Sequence, residues 1–233
     1  MQHAEIRTAL IASGGGTDAK AIMEAYRIGR LPHIDLKMLI STKTGAACLE
    51  KAELHKIRTH IIDRKTCGGQ HSFNKRLGSL IGRSHIQLVF LVGCIVKIPR
   101  LRGVKVYNIH PADISLYGGQ GMYGLEPHKK ILADINGMII RKEKSQADRF
   151  YTYPTVHEAS EKYDSGTELL RLGVEVPADI ISDLVGESVS LETAAERLQK
   201  HVLPYEWMML PLAVNAAAEM IAEKMLIKAG NAS

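Results

Sequence analysis

Asn108 and His110 are the residues of this chain whose types and spacing best suit chemistry. They stand two apart in Val106-Tyr107-Asn108-Ile109-His110-Pro111, and the run from Val104 to His110 reads as a short buried strand. Side chains on a strand alternate faces, so the carboxamide and the imidazole project to the same side. Pro111 ends the pairing and biases His110 toward an extended backbone. In open α/β sheets the carboxyl ends of the strands form the ligand-binding lip. An amide donor and an imidazole at that lip suit a reaction in which a carbonyl oxygen gains negative charge. The stretch that follows, Tyr117-Gly118-Gly119-Gln120-Gly121-Met122-Tyr123-Gly124, is too rich in glycine for a strand or helix and reads as a loop.

A second constellation lies near the start of the chain. Ile6 to Ala12 reads as the first, central strand, and Ala19 to Gly29 has helical spacing. Between them run Ser13, Gly14, Gly15, Gly16, Thr17 and Asp18. Strand, glycine loop and helix N-terminus together aim free backbone N–H groups and the positive end of a helix dipole at one spot, which suits a phosphate. Thr17 or Asp18 is expected to cap the helix. The spacing matches neither the dinucleotide fingerprint nor the P-loop.

Further on, His157 and Asp164 bracket the loop Glu158 to Tyr163 and lead into Asp164-Ser165-Gly166. A carboxylate beside a histidine fixes its orientation and favours the imidazolium. On spacing alone Asp164-Ser165-Gly166 is a plain turn. His157-Glu158 opens like a zinc-binding H-E-x-x-H, but position 161 is Glu, and no metal is expected. No G-x-S-x-G elbow is present, which argues against a covalent acyl-enzyme.

The elements that must position these residues alternate. Strands are expected at Ile34 to Ile40, Thr59 to Ile62 and Ile86 to Val92, with helices at Ala46 to His55 and Ser72 to Ile81 between them. That alternation predicts an α/β fold with a doubly wound, mostly parallel sheet. The unbroken apolar run Ile86 to Val92 marks a strand buried on both faces. Later, a helix is expected from Glu126 to Ala133, strands at Thr152 to His157 and Glu168 to Val176, and two C-terminal helices, Leu191 to Val202 and Tyr205 to Ile227. Residues 135–146 give no clear pattern. At 233 residues the chain is long enough for one domain, 1–233, with a phosphate-binding half at 1–110 and a second half at 111–233. The net charge of +5 is scattered, without the basic block of a nucleic-acid arm. The polar stretch Met1 to Glu5 does not read as a signal peptide, the apolar runs are too short for a bilayer, and three cysteines leave one unpaired; together these suggest a cytoplasmic setting.

Taken in order, these pieces resemble the folate-dependent formyltransferases. The matching residues are Ser13 to Thr17, Asn108-Ile109-His110-Pro111, Gly118 to Gly124, His157 and Asp164 seven apart, and the looser Lys200-His201-Val202-Leu203-Pro204-Tyr205. The resemblance implies a Rossmann-like formyltransferase fold. It implies formyl transfer from 10-formyltetrahydrofolate, as co-substrate, to the amine of glycinamide ribonucleotide in purine biosynthesis. Asn108, His110 and Asp164 would be the catalytic trio, with a protonated His110 and Asn108 holding the oxyanion. The Gly14 to Thr17 loop would hold the substrate phosphate. Cys94 to Ile98 and residues 158–164 would form the pterin slot, and Ile95, Val96, Lys97, Ile109, Pro111, His157 and Lys200 would contact substrate or folate. Val96 and Lys200 stand where the family commonly has Arg and Glu, which leaves another phosphorylated or sugar amine, or hydrolysis of the formylfolate, as alternatives. A non-enzymatic phosphosugar-binding relative ranks behind both. The implied partners are small molecules alone, without nucleic acid or membrane, for a monomer or homodimer.

Overall fold

The computed structural model describes residues 5–160 and 163–230, without the side chains of 228–230. The chain divides into two compact units, Met1–Ile109 with Trp207–Ser233, and His110–Glu206.

In the first unit, β1 (Ile6–Ala12), β2 (Ile34–Ser41), β3 (Thr59–Ile61), β4 (Leu88–Leu91) and β5 (Lys105–His110, whose last residue opens the second unit) alternate with α1 (Thr17–Arg27), α2 (Cys48–Leu54) and α3 (Gln70–Arg83). The strands lie in the order β3-β2-β1-β4-β5, and every pairing among them is parallel. β4 is buried at all four positions, as its unbroken apolar run requires. Phe90 on β4 faces Tyr107 on β5, with ring centroids 5.5 Å apart. Ile22 and Met23 of α1 and Phe73 and Leu77 of α3 are fully buried with Leu10, Ile11 and Leu39. Each such side chain contributes roughly 1.5–3 kcal/mol by leaving water.

In the second unit, α4 (Ile114–Tyr117) and α5 (Glu126–Ile140) precede β6 (Tyr151–Thr152), β7 (Thr155–Glu158), β8 (Glu168–Arg171), β9 (Val174–Glu175) and α6 (Ala178–Val185). β7 pairs antiparallel with β8, and β6 with β9. Ile131, Leu132 and Ile135 of α5 share a core with Ile180, Ile181, Leu198 and Val202. The last helix, α7, runs unbroken over Leu191–Gly230.

Several local expectations are corrected. Residues 135–140 continue α5, because Ile135 is buried in the core of this unit. Each of the two later strands is split in two, at Tyr153-Pro154 and at Leu172-Gly173; Pro cannot donate to a ladder and Gly weakens one. α6 had no counterpart in the expectation. Pro204 lies inside α7, where a break between two helices was expected, and Pro211 lies inside it as expected. Each removes a helical N–H at a cost of about 3 kcal/mol. Burial of Leu198 and Val202 before them, and of Met209, Leu210, Ala213 and Val214 after them, offsets that loss. Among the described residues no helix is long and apolar enough to cross a membrane.

His128 on α5 is an exception to the polar bookkeeping of the second unit. It is fully buried, and among the described residues neither ring nitrogen has a partner. Burial, helped by His110, pushes its pKa down to about 4. The folded ring therefore stays neutral while the unfolded chain binds a proton below its ordinary value. Stability linked to this group is full above about pH 6.5 and falls as the pH drops toward 4. His128→Leu is expected to flatten that part of the stability profile, with a gain of the order of 3 kcal/mol near pH 4 relative to pH 7. Urea denaturation at the two pH values checks it; an unchanged profile contradicts the assignment.

Candidate active site

β5 ends at His110, and the chain turns at once into α4, whose first turn is capped by Asp113 accepting from the Ser115 N–H at 2.9 Å. The turn brings the carbonyl of Tyr117 back over the strand end, where His110 Nε2 lies 2.8 Å from it. A carbonyl only accepts, so Nε2 carries the hydrogen, and Nδ1 is left facing the carboxylate of Asp164 at 3.7 Å. The other oxygen of Asp164 lies 3.4 Å from His157 Nε2, and the Gly119 N–H donates to the carboxylate at 3.0 Å. His157 Nδ1 in turn lies 3.1 Å from the Glu158 carbonyl. One carboxylate thus stands between two imidazoles, each of which has its far nitrogen on a backbone carbonyl.

The cluster is nearly dry: His110 is 2% exposed, His157 1%, and the Asp164 side chain 9%. Burial alone would raise the Asp164 pKa, but the hydrogen bond from His157, the charge that His110 carries at the low pH where a carboxyl titrates, and the Gly119 N–H outweigh it and hold the carboxyl below the usual range. Burial pulls His110 below the ordinary histidine value. Asp164 and the Tyr117 carbonyl oppose that pull without cancelling it, and His157 adds to it. On that direction the ring is neutral at pH 7, and the carboxylate beside it stabilises a proton gained there.

Two glycines fix this geometry. A side chain at Gly118 would strike the Ile114 carbonyl and come within 2.9 Å of Asp164 Cβ. One at Gly166 would overlap the Glu158 carbonyl. Asp164 itself has φ +49°, a left-handed conformation that Asp tolerates better than most residues.

The first unit holds the other constellation. Gly14, Gly15 and Thr17 are exposed after β1, and Gly16 enters α1 with φ +70°. A β-carbon on Gly16 would lie 2.5 Å from that of Cys48, so α2 packs against the loop as only glycine allows. The Cys48 N–H donates to the Gly14 carbonyl at 3.1 Å. Among the described residues the N–H groups of Gly14 to Thr17 have no protein acceptor, and no side chain caps α1. The expected caps, Thr17 and Asp18, do not form because α1 already begins at Thr17. Burial pushes the pKa of Asp18 up to about 6, against a hydrogen bond with Trp207, so it stays mostly ionised at pH 7. Ser13 ties the neighbouring strand ends together. Its hydroxyl meets Thr42 at 2.6 Å and accepts from the Ile95 N–H at 3.1 Å, while its N–H donates to the Gly93 carbonyl.

The structure thus brings His110, His157 and Asp164 together and sets Asn108, partly buried, two residues before His110 on β5. Ile95 is 62% exposed and Lys97 exposed, on the segment that Ser13 anchors; Val96 is partly buried, and its carbonyl lies 3.5 Å from Cys94 Sγ. Burial pushes that thiol up to about 11, which leaves it a poor nucleophile. Ile109 points into the core, and the Pro111 carbonyl lies 3.5 Å from Thr152 Oγ1. Lys200 is exposed on α7, and among the described residues no contact joins it to the histidine cluster. Of residues 158–164, 161 and 162 lie outside the described residues. Sequence reasoning missed Thr42, the Tyr117 carbonyl and the Gly119 N–H as partners; the glycine run after β5 was the available signal for the last two.

The family model described as formyl transferase matches residues 6–195. The phosphoribosylglycinamide formyltransferase, chloroplastic, of Vigna unguiculata is 26% identical over 177 residues, 74% of this chain and 52% of that protein. This chain spans about half the length of that relative and of its Arabidopsis thaliana counterpart. The phosphoribosylglycinamide formyltransferase of Haemophilus influenzae is 24% identical over 206 residues, 86% of each chain. Among solved structures, glycinamide ribonucleotide transformylase 1 from Symbiobacterium toebii superposes with a TM-score of 0.68 at 22% identity, over 92% of this chain and 88% of that one. The Brucella melitensis phosphoribosylglycinamide formyltransferase gives 0.67 at 23% identity, over 92% and 96%. These likenesses show the fold expected from the β-α alternation, a mostly parallel sheet with flanking helices of the Rossmann-like formyltransferase type. With one family model spanning 190 of its 233 residues, the chain belongs to the formyl transferase family.

Proposed function

We propose that this protein transfers the formyl group of 10-formyltetrahydrofolate to the amine of glycinamide ribonucleotide, and that residues 1–233 act as one functional domain. The observation that carries the reading is the buried carboxylate of Asp164 held between His110 and His157, with Asn108 two residues before His110 on β5. The names of the relatives from Vigna unguiculata and Haemophilus influenzae support the same acceptor. The family model runs through both compact units, which supports treating them as one domain.

In this mechanism the amine nitrogen attacks the formyl carbon, and the carbonyl oxygen becomes an oxyanion. The Asn108 carboxamide donates to it. His110, neutral at rest, gains a proton as the attacking amine becomes acidic, and Asp164 at 3.7 Å stabilises the imidazolium so formed. That proton then passes to the folate nitrogen as its bond to carbon breaks, which leaves the formylated amine and tetrahydrofolate. Gly14 to Thr17 take the phosphate of the amine through backbone N–H groups. Ile95, exposed and apolar, offers a surface for the flat pterin, with Val96 and Lys97 beside it. His157 orients Asp164, and Lys200 contributes from the polar face of α7. The three cysteines are free, which suits a reducing cytoplasm.

Purified protein given 10-formyltetrahydrofolate with and without glycinamide ribonucleotide tests the activity. Deformylation that requires the amine is expected; deformylation without it marks a hydrolase, and donor binding without turnover marks another acceptor. The loop is tested separately. A side chain at Gly15 meets nothing within 4 Å, so Gly15→Val leaves the fold intact and fills only the space in front of the loop. It is expected to raise KM for the amine by about tenfold or more and to leave KM for the folate near its original value. Equal effects on both contradict the phosphate assignment.

A further inference from the structure

A second, unassigned cavity lies in the first unit, between α3 and the edge strand β3. It is an open concavity of about 520 Å³, within the range of small-molecule sites. One wall is a stripe of α3: Ser72, Lys75, Arg76, Ser79 and Arg83 recur at helical spacing and all line the cavity. α3 carries no acidic residue in any of its 14 positions. No carboxylate is among the lining residues, and among the described residues none of Lys75, Arg76 and Arg83 is paired with one. Three cations gathered in one concavity repel one another, and an anion between them relieves that repulsion. The opposite wall is apolar, with Ile61 and Ile62 of the β3 end joined by Leu80. Ile61 is 51% exposed, an unusual position for isoleucine on a sheet edge. His60 also lines the cavity. Burial and the neighbouring Arg58 lower its pKa, so it offers a hydrogen bond, not a fourth charge.

We propose that this cavity is a second binding site, separate from the Gly14 to Thr17 loop, for a small phosphorylated molecule with a flat or apolar body, such as a nucleoside monophosphate. The phosphate sits against Lys75, Arg76 and Arg83 with Ser72 or Ser79 donating, and the body lies on Ile61 and Leu80. The apolar wall beside the cations favours a small molecule with one apolar body over a long polyanion.

Calorimetric titration of the full chain carrying Gly15→Val, which obstructs the loop, tests the site with AMP, adenosine and inorganic phosphate as probes. AMP is expected to bind saturably and more tightly than phosphate, and adenosine is expected to give no measurable binding. Adding Lys75→Glu and Arg76→Glu, both exposed, is expected to weaken AMP by at least about tenfold. Ser79→Phe, which puts a bulky ring on the lining and keeps every charge, is expected to do the same, so the result does not hang on charge reversal alone. With Gly15 restored, both variants keep the original turnover and melting temperature. No saturable AMP binding, AMP binding that survives both variants, or equal binding of adenosine overturns the proposal. So does a single-stranded RNA that binds more tightly than AMP and is lost on the same substitutions, since the surface then reads a polymer.

Discussion

Everything at the strand end depends on one carboxylate that is kept charged in a place where burial favours neutrality. Asp164 keeps its charge because a histidine, a second histidine and a backbone N–H all point at it. Each histidine can serve it only because a backbone carbonyl fixes its other nitrogen: Tyr117 for His110 and Glu158 for His157. If either carbonyl is removed, its ring is free to turn over, and the proton count of the cluster changes with it. His110 is drawn down by burial and drawn up by Asp164, and burial prevails.

The backbone keeps the cluster in register at a cost concentrated in a few positions. Gly118 and Gly166 leave no room for a side chain, and Asp164 occupies a left-handed conformation. Gly16 plays the same part in the other unit, where it lets α2 close on the loop after β1. Ser13 then links that loop to the ends of β2 and β4 through one hydroxyl and one N–H. Rigid strands that end in glycine-permitted turns are a common way to place reactive groups on a scaffold that does not move.

Much of this was legible in the residues, and the failures have physical causes. The first half of the sheet followed from alternation, and β1 begins and ends where its apolar run does. The place of Asn108 and His110 at the end of β5 could be read because a strand has period two and a proline marks its end. Asp164 could not be read from spacing, since Asp-Ser-Gly is also an ordinary turn; its role depends on contacts with His110, 54 positions earlier in the chain, and the family resemblance supplied it. α7 was misread at Pro204 because packing on either side of that proline overrode a local rule. The partners contributed by main chain, the Tyr117 carbonyl and the Gly119 N–H, carry no side-chain signature at all.

The most direct test of the central claim is the titration of His110, followed by NMR of its ring protons, in the original protein and in Asp164→Asn. Asn tolerates the same left-handed backbone and occupies nearly the same volume, so the change keeps the shape while it removes the charge and one of the two oxygens that face His157 and Gly119. The midpoint of His110 is predicted to fall further below the ordinary histidine value in the variant, while kcat drops by about 100-fold or more and the fold is retained. An unchanged midpoint with near-normal turnover would contradict the account and return Asp164 to the plain turn that its sequence suggests.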